Sequence, residues 1–274
     1  MEKKTTNKKD AHYAKLRRNH RARAMEKGTY QPSFDALPEG RVWLYGIHTV
    51  TAAIQNPKRT IHGLWATDNA LTRLNVGAVE TLPFPVYKVA PKEIDKKLGG
   101  EAVHQGVLLE ADILTPLTLE DCWHHDLLLV LDQVTDPHNV GAIMRSAVAM
   151  GAGALITTNR HSPVESGVLA KTASGGLEHI DLVTVRNLSN AIQAINERGY
   201  QSVGLDSEGP DDLEQTFRAE KIALVLGAEG KGLRQKTRET VTTLARLDMP
   251  GPIKSLNVSN AAAIALHRAR AALK

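Results

Sequence analysis

The sequence predicts an α/β protein, with a C-terminal domain built on a parallel sheet with helices on both faces and a smaller α/β module ahead of it. Two features carry this. From Leu127 onward, short aliphatic runs alternate with stretches of helical periodicity, the pattern of buried parallel strands joined by crossover helices. Three of these runs lead into a glycine-containing polar loop and then a helix, at Leu127 to Met150, Ile222 to Leu233 and Arg246 to Leu266. Ligands of open parallel sheets bind beyond the carboxyl ends of the strands, so three loops of one kind point to one shared site.

Length and composition set the frame. At 274 residues the chain exceeds one average domain and suggests two. Hydrophobic residues make up 42%, and no run approaches the roughly 18 to 20 apolar residues that span a bilayer, so a soluble protein is expected. Cys122, the single cysteine, excludes an internal disulfide and a thiolate zinc site and favours a reducing compartment, which makes a cytoplasmic location the expectation. The eleven histidines form no Cys/His cluster and no His-Glu-x-x-His pattern, so no metal is expected.

The net charge of +4 hides an asymmetry. Residues 1–34 hold ten Lys or Arg against Glu2, Asp10 and Glu26, and the remainder of the chain is slightly acidic. In this arm Lys15, Arg17, Arg18, Arg21 and Arg23 are interleaved with His12, His20 and Tyr13, a composition suited to nucleic-acid phosphates. A solvated tail that aids solubility has the same composition. The lysine-rich start with early acids fits a mitochondrial transit peptide poorly.

Taken in order, residues 1–40 read as a basic flexible extension that ends in a linker marked by Pro32, Pro38 and Gly40. The small module, 41–114, opens with a strand at Val42 to Tyr45, a helix at Ile47 to Ile54 and a strand at Ile61 to Ala66. A helical piece at Ala70 to Leu74, a strand at Val86 to Val89, a helix at Pro91 to Leu98 and a strand at Val107 to Leu109 complete it. Residues 115–125 connect it to the second domain, 126–274. Strands there are expected at Leu127 to Leu131, Ala154 to Ile156, Leu182 to Val185, Ser202 to Leu205, Ile222 to Leu226 and Leu244 to Met249.

The polar loops hold the chemistry. After the first strand, Val140, Ile143, Met144, Ala147 and Val148 keep helical spacing, which puts Asn139 at a helix start and turns Arg145 off the apolar face. Asn139 also reads as an ordinary cap, and Arg145 as a surface charge or a phosphate clamp. Gly227-Ala228-Glu229-Gly230-Lys231-Gly232 follows its strand directly. It is no P-loop, because Gly232 stands where Ser or Thr is required, and its carboxylate suits a neutral or cationic ligand better than a phosphate. In the third stretch Pro250-Gly251-Pro252 interrupts the strand, and Ser255 to Asn260 supplies capping side chains before an alanine-rich helix.

Together, Asn139 with Arg145, Gly227-x-Glu229-Gly230-x-Gly232 and Ser255-Leu256-Asn257-Val258-Ser259 closely resemble the three motifs of the SpoU (TrmH) group of RNA ribose 2′-O-methyltransferases, in the SPOUT superfamily. Where that family usually has Ile-Pro-Met, this chain has Leu247-Asp248-Met249, which keeps the apolar contacts and drops the proline. The resemblance implies a trefoil-knotted domain that cradles S-adenosylmethionine, with Gly227, Leu247, Met249 and Leu256 at the methyl donor. It implies Asn139, Arg145, Glu229, Ser255 and Asn257 as active-site residues, in a site formed across a homodimer interface. A guanidinium with a pKa above about 12 is a reluctant base, so Arg145 is expected to orient the target phosphate and ribose and to assist deprotonation there. The small face Ala261, Ala262, Ala265 and Ala269 permits close helix approach.

Ahead of it, Tyr45-Gly46-Ile47-His48 and His104-Gln105-Gly106-Val107 resemble an L30e-related RNA-binding module, with His104 and Gln105 as RNA contacts. That pairing implies the branch that methylates a guanosine of 23S ribosomal RNA, with RNA rather than DNA or a membrane as partner and no metal. Methylation of transfer RNA, or a non-catalytic role in RNA binding or ribosome assembly, are the alternatives.

Overall fold

In the computed structural model, residues 37–160 and 163–273 are described. Lys15, Arg17, Arg18, Arg21 and Arg23 lie outside them.

A four-stranded sheet comes first, built from β1 (Arg41–Tyr45), β2 (Ile61–Ala66), β3 (Val86–Lys88) and β4 (Val107–Asp112) in the order β1-β4-β2-β3. β4 runs antiparallel to both β1 and β2, and β3 is parallel to β2. Alternation decides its two faces. Val42, Leu44, Leu64, Ala66, Leu109 and Ala111 turn inward onto α1 (Ile47–Gln55) and α2 (Asp68–Leu74), joining Val50, Ala53, Ala70 and Leu74 in one core. The opposite face carries Tyr45 and Leu108, covered by Ile94 of α3 (Pro91–Leu98).

The second sheet has seven strands. They are β5 (Leu127–Asp132), β6 (Ala154–Thr158), β7 (Asp181–Val185), β8 (Gln201–Leu205), β9 (Asp211–Asp212), β10 (Ile222–Gly227) and β11 (Thr243–Arg246), in the order β7-β6-β5-β10-β8-β11-β9. Every neighbouring pair is parallel. Between them run α4 (Pro137–Ala149), α5 (Gly167–Ala173), α6 (Leu188–Glu197) and α7 (Gln235–Thr240), and α8 (Val258–Ala272) closes the chain. The central strands are aliphatic on both faces because both are covered. Leu127, Leu129, Leu131, Leu224 and Leu226 pack with α4 and α8, whereas Leu128, Val130, Ala223 and Val225 pack with Leu188, Ile192 and Ile195 of α6. Among the described residues no helix is long and apolar enough to cross a membrane.

Several expectations change. The strand expected over Leu244 to Met249 stops at Arg246, whose guanidinium donates to the carbonyls of Gly209 and Pro210 at 2.9 and 2.7 Å and holds the loop before β9 there. β9 itself, two residues long, is too short to leave a periodic signal. Asn139 is not the helix cap: Asp136 is, accepting from the His138 N–H at 3.1 Å, with Pro137 in the first turn. Ala262, Ala265 and Ala269 are fully buried in the chain's own core, where α8 lies against α4, so that small face brings two helices of one chain together.

The two sheets are joined by polar contacts from α1 and the loop that follows it. Arg59, whose side chain is fully buried, donates to Glu165 at 2.7 Å, to both carboxylate oxygens of Glu178 at 2.6 and 3.1 Å, and to the Asp112 carbonyl at 2.7 Å. The Thr49 hydroxyl donates to the Ala170 carbonyl at 3.1 Å.

Candidate active site

The register of the two central strands brings the first two motif loops together. Gly227 pairs with Asp132, so the chain leaves β5 and β10 at the same level and on the same edge. The Asp132 carboxylate is fully buried and takes the Arg234 guanidinium at 2.6 Å and the Arg234 N–H at 3.0 Å, which fastens the far end of the β10 loop back onto β5. Within that loop the Gly232 N–H donates to the Ala228 carbonyl at 2.8 Å. Gly230 and Gly232 adopt φ of +77° and +64°, a region open to glycine at little cost. A side chain on Gly227 would run into the Gly232 backbone, so the loop's close return depends on glycine there.

The third loop meets them at the start of α8. Asn257 caps this helix: its Oδ1 accepts from the Ser259 N–H at 2.9 Å and the Ser259 hydroxyl at 2.6 Å. Its Nδ2 donates to Asn139 Oδ1 at 3.0 Å and reaches Glu229 Oε2 at 3.4 Å. One side chain thus ties three loops, and Asn139, Glu229 and Asn257 form a polar cluster.

That cluster borders a cavity of about 760 Å³ in which Gly227, Glu229, Leu247, Met249, Ser255, Leu256 and Asn257 all take part. Its size is within the usual range for a small-molecule site. Leu226, Leu247, Met249, Leu256 and Val258 supply apolar surface, while Glu229 and Asp206 supply carboxylates. Such walls suit a ligand that combines a flat apolar ring, hydroxyl groups and a positive charge. Asp248 lies outside, lining an adjoining hollow with Asp212 and Arg268, so the replaced proline leaves Leu247 and Met249 free to line the cavity.

Asp206 and Ser207, from the loop after β8, also line the cavity and were not anticipated. The signal was there, because this loop too follows the carboxyl end of a parallel strand. Asp206 is held by Arg238 at 2.5 Å, and its backbone N–H donates to Ala245 at 2.9 Å.

Arg145 is not brought to this cavity. It is exposed on α4, six residues beyond Asn139, which turns it about 240° around the helix. There it lines a hollow of about 340 Å³ with His48, Gln55, Ser174, Gly175 and His179, between α1 and the end of α5.

In the small module, His104 is buried. Its Nδ1 accepts from the Gly106 N–H at 3.0 Å, so its proton sits on Nε2, which faces Asp95 at 3.2 Å. Gln105 has φ of +57°, and its side-chain carbonyl accepts from the Ile47 N–H at 3.1 Å and from Lys171 at 2.8 Å. Burial, then the nearby Arg73 charge, lowers the Lys171 pKa.

Cys122 is buried, and its thiol is pushed up to about 12, first by burial and then by Asp181, Asp121 and Glu120, which removes it as a nucleophile at neutral pH. Among the described residues His124, His125 and Asp181 bring donor atoms within 4.8 Å of one another, but at the amino end of an edge strand. There Asp181 already pairs with His125 at 3.0 Å and Lys58 at 3.6 Å.

Residues 126–267 match the SpoU rRNA Methylase family, and residues 43–117 match the family described as RNA 2′-O ribose methyltransferase substrate binding. A 23S rRNA (guanosine-2′-O-)-methyltransferase, RlmB, of Ralstonia nicotianae is 36% identical over 233 residues, covering 82% of this chain and 94% of the relative. The protein of the same name from Pseudomonas putida is 36% identical over 237 residues, with the same coverage of 82% and 94%. Among solved structures, the SpoU methyltransferase AviRb from Streptomyces viridochromogenes in complex with AdoMet aligns with a TM-score of 0.71 at 22% identity, over 85% of this chain and 90% of that one. An AdoMet-bound rRNA methyltransferase from Sinorhizobium meliloti aligns with a TM-score of 0.71 at 24% identity, over 86% and 88%. The two structural likenesses establish a shared fold, and the sequence matches, which span both sheets, show that the chain belongs to the SpoU rRNA methylase family.

Proposed function

We propose that this protein transfers a methyl group from S-adenosylmethionine to a ribose 2′-hydroxyl of RNA, and that its substrate is a guanosine of 23S ribosomal RNA. The observation that carries this is the junction at Asn257, where the cluster of Asn139, Glu229 and Asn257 borders the cavity lined by Gly227, Leu247, Met249 and Leu256. The names of the relatives at 36% identity support the 23S guanosine as target. Residues 41–114 serve as the substrate domain, 115–125 as the connection and 126–274 as the methyltransferase domain, whose last segment is threaded as the family resemblance implies.

The fit of the methyl donor rests on the cavity's chemistry. Leu247, Met249 and Leu256 would hold the adenosine, Gly227 allows close backbone approach, and the Glu229 carboxylate favours positive charge, Asp206 being already paired with Arg238. When bound, S-adenosylmethionine supplies an electrophilic methyl on a sulfonium. The transfer releases the hydroxyl's proton to solvent, and this chain's residues have to orient the hydroxyl. Asn257, with its Oδ1 committed to the helix cap and its Nδ2 shared between Asn139 and Glu229, holds the polar cluster rigid. Asn139 and Ser255 orient the hydroxyl, and Glu229 fixes the loop. Much of the rate comes from positioning, which is worth on the order of 7–11 kcal/mol for well-oriented reactants.

Arg145 enters from a second copy of the chain. Its place on another face of α4, away from its own cavity, favours a homodimer in which each guanidinium clamps the RNA phosphate at the partner's site. His104 shapes the turn that presents Gln105 to RNA. The test is methyl transfer from labelled S-adenosylmethionine to bulk RNA, followed by nuclease mapping. Label on a 2′-O-methylguanosine of 23S RNA is expected; label on a base, on transfer RNA alone, or nowhere overturns the reading.

A further inference from the structure

We propose that the small sheet carries a base-stacking site for single-stranded RNA, centred on the exposed ring of Tyr87 with Trp65 behind it. The proposal rests on the reading of RNA as substrate and adds a contact that the cavity does not supply. On the sheet face turned away from the main core, Trp43, Trp65 and Tyr87 come from β1, β2 and β3. Trp65 and Tyr87 are register partners, and their rings stack at 4.9 Å with 23° between planes. Trp43 meets Trp65 edge-on at 5.3 Å.

Gly63 makes the stack possible. A Cβ there would stand 2.9 Å from the Trp65 ring, so a side chain at this position would push that ring aside, while the Tyr87 ring at 3.4 Å would remain in ordinary contact. The series is closed at one end and open at the other. Ile94 and Leu98 of α3 pack around Trp43 and Trp65, and Lys97 places its ammonium 5.3 and 5.1 Å from the two indole centroids. Tyr87 stands outside that cluster and is 46% exposed. A stack that merely filled a core would not end in an open ring.

The occupant that fits is a flat π-system carried on a polyanion. The stretch from Lys88 to Lys96 holds Lys88, Lys92 and Lys96 against Glu93 and Asp95. Both acids are engaged elsewhere, Glu93 with the Ala90 N–H at 2.9 Å and Asp95 with His104. The exposed pair of Lys88 with Asp68, at 3.2 Å, is of the weak surface kind and yields readily to a phosphate. Unstacked bases of single-stranded RNA bind proteins in this way, face-on to an aromatic ring beside cations. A duplex, with its bases stacked on one another, offers no free face.

The experiment uses the full-length protein and a ten-nucleotide oligoadenylate. Two of the three tryptophans belong to the stack, so their emission reports the site. Binding is followed by tryptophan quenching and by anisotropy of a labelled oligomer, at a salt concentration that suppresses phosphate contacts from the rest of the chain. Oligoadenylate quenches the wild type and a blunt duplex of the same length does not. Tyr87→Ala and Tyr87→Leu each weaken binding about tenfold, while Tyr87→Phe stays within about twofold. Unchanged emission in the wild type, or Ala and Leu variants that bind as the wild type does, overturns the site. Methyl transfer to ribosomal RNA is measured on the same proteins: its absence in the wild type overturns the enzymatic reading, while transfer with an unchanged KM for RNA in Tyr87→Ala overturns the stacking site alone.

Discussion

Asn257 donates from Nδ2 to Asn139 Oδ1 at 3.0 Å, joining residues 118 positions apart, while its own Oδ1 caps the last helix. One amide thereby does two jobs, and the two can be separated. Asn139→Ala removes the polar partner and leaves the cap, so methyl transfer falls about 100-fold with the melting temperature unchanged. Asn257→Ala costs activity similarly and also about 1 kcal/mol of helix capping, a fall of roughly 2–4 °C for a domain of this size. Methylation rates and thermal melts on the two variants check this, and equal melting temperatures would contradict it.

Gly227 has no room for a methyl group, because the backbone of Gly232 occupies that space. The strain cannot be relieved by a rotamer change, since the obstacle is main chain. Gly227→Ala therefore opens the loop and weakens S-adenosylmethionine binding tenfold or more, about 1.4 kcal/mol. Calorimetric titration measures it directly, and wild-type affinity in the variant would show that the loop does not hold the donor.

Arg145 and Asn257 lie in different hollows of one chain. If they act together across a dimer, Arg145→Ala and Asn257→Ala are each inactive as pure proteins, yet mixing them by co-expression restores roughly a quarter of wild-type activity through heterodimers with one intact site. A mixture as inactive as its components would place both residues in the same protomer's site.

The buried ion cluster at Arg59 has the opposite character, contributing to the join between the sheets. Burial draws the Arg59 pKa down, but the hydrogen bonds and charges of Glu178 and Glu165 outweigh it and hold the guanidinium charged. Arg59→Ala strands two buried carboxylates and costs about 3–5 kcal/mol. Glu165 behaves differently, because burial raises its carboxyl above 4.5 despite Arg59. The folded state then binds that proton more tightly than the unfolded state, so the carboxyl's contribution is fully present below 4.5 and is lost as the pH rises through its folded value. Glu165→Gln, uncharged throughout, should gain on the wild type as the pH rises through that folded value. Denaturant titrations at several pH values read the difference, and a constant offset would contradict the assignment.

Where the sequence was legible, local physics was the reason. Aliphatic runs such as Leu127–Leu131 and Ile222–Leu226 are strands because their composition and length allow little else, and the structure has both within strands paired in register at the centre of the sheet. Asn139 also reads as a cap because Asn suits that position, whereas Asp136 with Pro137 takes it three residues earlier and leaves Asn139 in the first turn, free to meet Asn257. The loop after β8 went unused because Asp206 and Ser207 carry no motif, and only their convergence on the cavity marks them.

By itself, then, the sequence determined the α/β plan, the three motif loops and the family they resemble, since each depends on neighbours within a few turns of chain. The tertiary structure decided which residues meet. It placed Gly227 beside Asp132 through strand register, hung Asn139 and Glu229 on Asn257, and turned Arg145 to another hollow. These are relations between segments 28 to 118 residues apart, or between faces of one helix, and they follow from packing rather than from any local pattern.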